Sequence, residues 1–269
     1  MRGEGMQSIG RLEGASAGPV RVLDGLISRH EKPVLLWFAR HMPAAVQPDH
    51  LTLLGVAGAA LTAFALLASH LSPAFLWLAV AGLLLNWFGD SLDGTLARYR
   101  LIERPRYGFF IDHTTDIASQ VMIVLGLGMS PFLRFDVVCL GLIAYLALGI
   151  YSYVKLHVSR PMQLTYYGVG PTEVRAFIAA GLMIAALVEV PVYATPFGHL
   201  SVFDAITIAG VIFAAVSVTV MFVTDATKLA RIDPPRYGVP GEVAMRQVGE
   251  IQSTADLPLT AARPYRSGV

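Results

Sequence analysis

Two of the six long apolar stretches in this chain carry carboxylates where a lipid-embedded helix ordinarily carries none. The stretches run approximately 50–69, 73–98, 107–130, 136–157, 173–194 and 203–225, long enough to cross a bilayer. Asp90 and Asp93 fall in the second, Asp112 and Asp116 in the third. A carboxylate at mid-membrane costs roughly 2.5–3.5 kcal/mol on insertion scales, so four of them represent on the order of 10 kcal/mol. No packing role requires a cost of that size. A divalent cation in a wet intramembrane cavity would offset it, and an all-oxygen ligand set suits Mg²⁺ or Mn²⁺.

The rest of the chain agrees with a membrane setting. Of 269 residues, 55% are hydrophobic and only 14% charged, against about 25% charged in a soluble domain. The expected fold class is an all-α polytopic membrane protein: six transmembrane helices in one bundle, with an N-terminal interfacial amphipathic helix. A single cysteine, Cys139, in an apolar run excludes a disulfide framework and a thiolate metal site. The seven histidines are scattered, with no pair at ligand spacing. No apolar core of signal-peptide type occurs in the first thirty residues, so no cleaved leader is expected.

Lys and Arg set the expected orientation. The N-terminal arm carries 6, the loop after the second stretch 4, the segment after the fourth through Arg175 3, and the C-terminal tail 6; Arg134 alone falls on the opposite side. This asymmetry puts both termini and the aspartate-bearing loop in the cytoplasm, as expected for a cell inner-membrane protein. Residues 1–42 form a cytoplasmic arm, 43–231 the six-span domain, and 232–269 a disordered, Pro-, Gly- and charge-rich tail. Within the arm, 19–42 reads as an amphipathic helix on the anionic inner leaflet, kinked or split at Pro33; an ordinary linker is the alternative. Turn signals fall at Leu71–Pro73, Arg104–Arg106, Ser130–Pro131, Gly168–Pro171 and Pro196–Gly198.

Helical spacing gathers the unusual residues. Asp90, Asp93, Gly94, Ala97 and Arg98 share one stripe, and Gly108, Asp112 and Asp116 another. A nine-residue connection lets the two helices run as antiparallel neighbours with their stripes facing. Paired carboxylates chelate hard cations, small residues admit a bulky group to the backbone, and Arg98 offers a planar fork for phosphate oxygens. That set suits a metal-bridged diphosphate and phosphoryl transfer, with one carboxylate left to take a proton from an alcohol. Spacing does not choose which aspartate is that base. Taken singly, Arg98 reads as a snorkelling anchor and Gly94 and Gly108 as packing residues. His113 points off the stripe and reads as non-catalytic.

Residues 90–116 are similar to the signature D-x2-D-G-x2-A-R-x8–9-G-x3-D-x3-D of the CDP-alcohol phosphotransferase family at every defined position. Pro48-Asp49-His50-Leu51-Thr52 resembles that family's Pro-Asn-x-hydrophobic-Thr, with Asp49 where Asn is usual. Lys155 and Gly170–Arg175 resemble downstream segments of many members. The resemblance implies transfer of a substituted phosphate from a CDP-linked donor to an alcohol, with release of CMP. It implies Asp90, Asp93 and Asp112 as metal and diphosphate ligands and Asp116 as general base, also able to touch the metal. It implies Gly94, Ala97, Arg98, Gly108 and Thr52 around the CDP group, and a homodimer joined through the spans. Lys155 and Arg175 are candidates for gripping an anionic acceptor, with positive-inside anchoring as their alternative reading. Gly170–Glu173 also reads as a simple helix start. An aromatic prenyltransferase, which separates its acidic motifs by many spans, and an ion-coupled transporter, which shows repeated halves, fit less well.

Overall fold

The computed structural model describes residues 21–22, 28–159, 162–163, 170–196 and 198–235. Seven helices appear among them: α1 (Ser28–His41), α2 (Pro48–Ala68), α3 (Phe75–Tyr99), α4 (Pro105–Gly128), α5 (Phe135–Ser159), α6 (Pro171–Leu187) and α7 (Val202–Ile232). The strand β1 (Arg21–Val22) pairs in parallel with β2 (Met162–Gln163), and β3 (Val192–Thr195) pairs antiparallel with β4 (Gly198–Ser201). The chain divides after Thr219; of the second unit, the described part is the end of α7 and the residues up to 235. The proposed tail thus lies almost wholly outside the described residues.

Each predicted stretch contains a helix, but four helices are long and apolar enough to cross a membrane: α2, α3, α5 and α7. This makes the chain an integral membrane protein and falls short of six crossings by composition. The two exceptions have separate causes. In α4, Asp112, His113, Asp116 and Gln120 dilute the apolar content. In α6, 17 residues reach only about 26 Å, against a hydrocarbon core of about 30 Å.

Three boundaries differ from the sequence reading. The stretch expected to run to 194 stops being helical at Leu187. Beyond it, after Pro191, Val192–Thr195 pairs with Gly198–Ser201 as the β3–β4 hairpin, and Gly198 has a φ of +99° that glycine accommodates. The last helix, expected over 203–225, continues to Ile232. Of the helix expected over 19–42, Ser28–His41 is helical and passes through Pro33 without a break, while Arg21–Val22 is extended. Pro33 is the sixth residue of that helix, so its missing N–H leaves out one ladder bond near the start. Residues 19–20 and 23–27 of that expected helix lie outside the described residues.

α2 is the centre of the packing. It lies along both α3 and α4, whereas α3 and α4 touch each other over a short stretch only. Glycines let α2 and α3 approach: a Cβ on Gly58 would stand 2.5 Å from the Asn86 amide nitrogen, and one on Gly82 2.5 Å from Thr62 Oγ1. A Cβ on Gly89 would strike the backbone of Gly55 and Leu51. Away from this seam, Leu66, Leu76, Leu83, Ile123 and Leu182 form one buried cluster from α2, α3, α4 and α6. A second cluster joins Leu35 and Ala39 of α1 to Leu51, Leu92 and Leu96. α1 leaves Leu36 and Trp37 exposed.

Because α2 and α6 flank α3, its carboxylate stripe is left facing a gap toward α4. The register is fixed from below: a Cβ on Gly55 would lie 3.3 Å from the Asp90 amide nitrogen, and Asn86 Nδ2 donates to the Gly55 carbonyl (2.9 Å). The far end of the bundle is tied by Asp204, 2% exposed, which accepts from the backbone N–H groups of Arg134 and Ser201 (2.8 Å each). Ser201 Oγ accepts from Asp204 N–H in return (3.0 Å), so α7 opens on a reciprocal cap.

Candidate active site

The gap is a cavity of about 1310 Å³. Asp90, Asp93, Asp112 and Asp116 all line it, together with Thr52, Gly94, Ala97, Arg98 and Gly108. Asp90, Asp112 and Asp116 each present a carboxylate oxygen to a common point, all three within 4.8 Å of one another. The two stripes therefore face each other, although the helices that carry them barely pack. The donor set is oxygen only and half-buried, which fits a hard divalent cation such as Mg²⁺ or Mn²⁺.

Asp93 stands apart from that group of three. Its Oδ2 accepts from Thr52 Oγ1 (2.5 Å) and its Oδ1 from the Gly94 backbone N–H, and the side chain is nearly buried. Thr52 thus engages an acid across the α2–α3 seam. Arg98 leans back over Gly94, its Nη1 3.3 Å from where a Cβ would be, and Nη2 donates to Thr95 Oγ1 (3.3 Å). At Gly108 a Cβ would meet nothing within 4 Å, so the first turn of α4 is open to a ligand.

Arg175 stands near the start of α6, where it was expected, and turns inward: it is buried among the carboxylates, with Nη1 donating to Asp90 Oδ2 (2.7 Å) and Nη2 to Asp116 Oδ1 (3.4 Å). The start of α6 delivers it: Gly170 N–H donates to Glu173 Oε2 (2.9 Å), Pro171 occupies the first turn, and Arg175 follows two residues after the buried Glu173. Gly170–Glu173 is therefore a helix start that serves the site. Lys155, on α5, does not line the cavity.

His113 lies closer to the site than its position off the stripe suggests. It lines the cavity with its Nδ1 3.3 Å from Asp112 Oδ2, while the same nitrogen donates to the Phe109 carbonyl (2.9 Å). Its ring stacks on Phe109 at 4.1 Å. Asp49 pairs with Arg104 Nη2 through both oxygens (2.6 and 2.8 Å), and Arg104 lies 3.9 Å over the Tyr107 ring. The carboxylate beside it raises the pKa of the Arg104 guanidinium further above its usual value.

Several residues of this region carry no motif signal. Glu31 of α1 accepts from Trp87 Nε1 (2.8 Å) and Thr172 Oγ1 (3.4 Å), which ties α1, α3 and α6 together at the cavity wall. Gln120 Nε2 donates to Tyr145 Oη (2.9 Å), joining α4 to α5. Only the helical spacing of Gln120 one turn beyond Asp116 could have suggested its place.

Apolar helices around a cavity with converging carboxylates make this an integral membrane protein with a polar site among its helices. Residues 45–223 match the CDP-alcohol phosphatidyltransferase family. The chain belongs to that family, whose members are membrane phosphotransferases dependent on a divalent metal. A search of curated proteins returned no relative.

Proposed function

We propose that the protein transfers a substituted phosphate from CDP-diacylglycerol to a small polar alcohol and releases CMP. The observation that carries this reading is the convergence of Asp90, Asp112 and Asp116 on one point of a cavity that also opens on Gly108 and Arg98. Asp90, Asp112 and Asp116 would hold a divalent cation there, which would neutralise charge on the donor diphosphate. Asp93, kept in one orientation by Thr52 and Gly94, completes the acidic wall. Arg98 binds phosphate oxygens, and Gly94, Ala97 and Gly108 leave room for the nucleotide. Asp116 accepts the proton of the acceptor hydroxyl as its oxygen forms a bond to the phosphorus that bears the lipid. The bond from that phosphorus to the bridging oxygen breaks, and CMP leaves with the electron pair.

The buried arginine favours this donor over CDP-choline or CDP-ethanolamine with a diacylglycerol acceptor. Arg175 supplies positive charge suited to an anionic acceptor, and diacylglycerol has no group to use it. The reading places six crossings in the inner membrane, with α4 and α6 turning their polar residues to the cavity and both termini cytoplasmic. Apolar side chains such as Leu140, Ile143 and Ile150 on α5 then face lipid or a second copy in a homodimer.

The test is to incubate purified protein with Mg²⁺ or Mn²⁺, one donor at a time, and a panel of acceptor alcohols, and to follow CMP. Release from CDP-diacylglycerol that depends on a polar acceptor supports the reading. Release from a CDP-aminoalcohol with diacylglycerol instead would reverse the assignment of donor and acceptor. No CMP from any pair, together with ion flux across proteoliposomes, would replace it with a transporter.

A further inference from the structure

Arg175 and a divalent cation make claims on the same carboxylates. The guanidinium is provided by α6, outside the family's aspartate signature, and its side chain is 10% exposed. It holds Asp90 Oδ2 at 2.7 Å and Asp116 Oδ1 at 3.4 Å, two of the three carboxylates whose oxygens lie within 4.8 Å of one another. A guanidinium and a divalent cation seated on the same two carboxylates stand close enough to repel strongly in a low-dielectric interior. The backbone that carries Arg175 is fixed by the Gly170–Glu173 and Thr172–Glu31 hydrogen bonds, so the side chain is the part free to change partners. It also lines the large cavity, where an acceptor would enter.

Resting on the phosphotransferase reading above, we propose that Arg175 is a built-in counter-cation that a divalent ion displaces from Asp90 and Asp116, and that the displaced guanidinium then grips an anionic group on the acceptor. The two events are coupled in a set order. An anion arriving before the cation would have to pull Arg175 from two carboxylates and leave both unpaired, which is costly in a buried site. After the cation has taken those carboxylates, the guanidinium is the group in need of a partner. By linkage, the cation strengthens anion binding and the anion strengthens cation binding by the same factor.

The experiment needs no turnover. Full-length protein in lipid nanodiscs is titrated with Mn²⁺ in the absence of donor, and free Mn²⁺ is read by electron paramagnetic resonance. Arg175→Gln removes the competitor and is expected to tighten Mn²⁺ binding about fivefold or more, the low end of site-to-site coupling. Arg175→Lys keeps the charge and is expected to stay nearer the wild type. Inorganic phosphate, as a probe of the released guanidinium, is expected to bind the wild type more tightly with Mn²⁺ than without, and to lose that gain in Arg175→Gln. Equal or weaker Mn²⁺ binding by Arg175→Gln would overturn the proposal. Should that variant not fold, phosphate binding to the wild type that is indifferent to Mn²⁺ overturns it equally. Tighter Mn²⁺ binding without CMP release from any donor leaves the displacement standing and removes the transferase reading. CMP release with unchanged Mn²⁺ affinity does the reverse.

Discussion

Replacing Gly58 with alanine drives a methyl group into the backbone of α3. The new carbon would stand 2.5 Å from Asn86 N, 2.7 Å from Gly82 O and 2.9 Å from Leu85 C, all main-chain atoms that cannot turn aside. Ordinary contact begins near 3.4 Å, so the two helices must part by about 0.9 Å. Overpacking of this kind costs about 1–3 kcal/mol, which for a chain of this size lowers the melting temperature by roughly 2–12 °C. The damage reaches the site because Asp90 is one helical turn beyond Asn86. A shift near 1 Å in a reacting group costs on the order of 100-fold in rate. Gly108→Ala is the matched control. Its methyl would meet nothing within 4 Å, and alanine is the better helix former by about 1 kcal/mol, so stability holds while the methyl intrudes on the ligand space. Thermal unfolding of detergent-purified protein by tryptophan fluorescence, with CMP release measured in parallel, separates the two. Gly58→Ala that unfolds with the wild type, or Gly108→Ala that loses as much stability as Gly58→Ala, would refute the packing argument.

Asp116→Asn is expected to keep donor binding, measured by equilibrium dialysis, and to abolish CMP release; undiminished turnover would remove Asp116 as the base. Thr52→Val deprives Asp93 Oδ2 of its donor and is expected to cost about 1 kcal/mol in unfolding experiments, with a fall in turnover. Asp204→Ala strips the acceptor from two backbone N–H groups in a buried cap and is expected to cost about 2–4 kcal/mol, while Mn²⁺ affinity in the folded fraction stays at the wild-type value. Chelation with EDTA is expected to stop CMP release, and added Mg²⁺ or Mn²⁺ to restore it.

The cavity was legible in the sequence because its chemistry is dense and local. Asp90, Asp112 and Asp116 lie within one 27-residue window, and the 3.6-residue period alone puts them on facing stripes. What the sequence hid is the company those residues keep. Thr52 reaches Asp93 from 41 residues away and Arg175 reaches Asp90 from 85, and no local period reports contacts across such separations. The glycines of the α2–α3 seam look like ordinary membrane glycines until Gly58 and Gly89 are seen against backbone. Four of the six expected spans stand out by length and composition; in the other two hydropathy and function pull apart, since α4 gives up apolar content to its aspartates and α6 ends before the hairpin that follows Pro191. The Ser201–Asp204 cap could have been read from its S-x-x-D spacing, a signal of helix starts that the apolar run beside it masked.

Anomalous diffraction from crystals grown with Mn²⁺ tests the central claim most directly. The account predicts one strong peak among the carboxylate oxygens of Asp90, Asp112 and Asp116, with Arg175 turned away from Asp90. A peak bound elsewhere, or none at saturating Mn²⁺ with Arg175 still seated between Asp90 and Asp116, would contradict it.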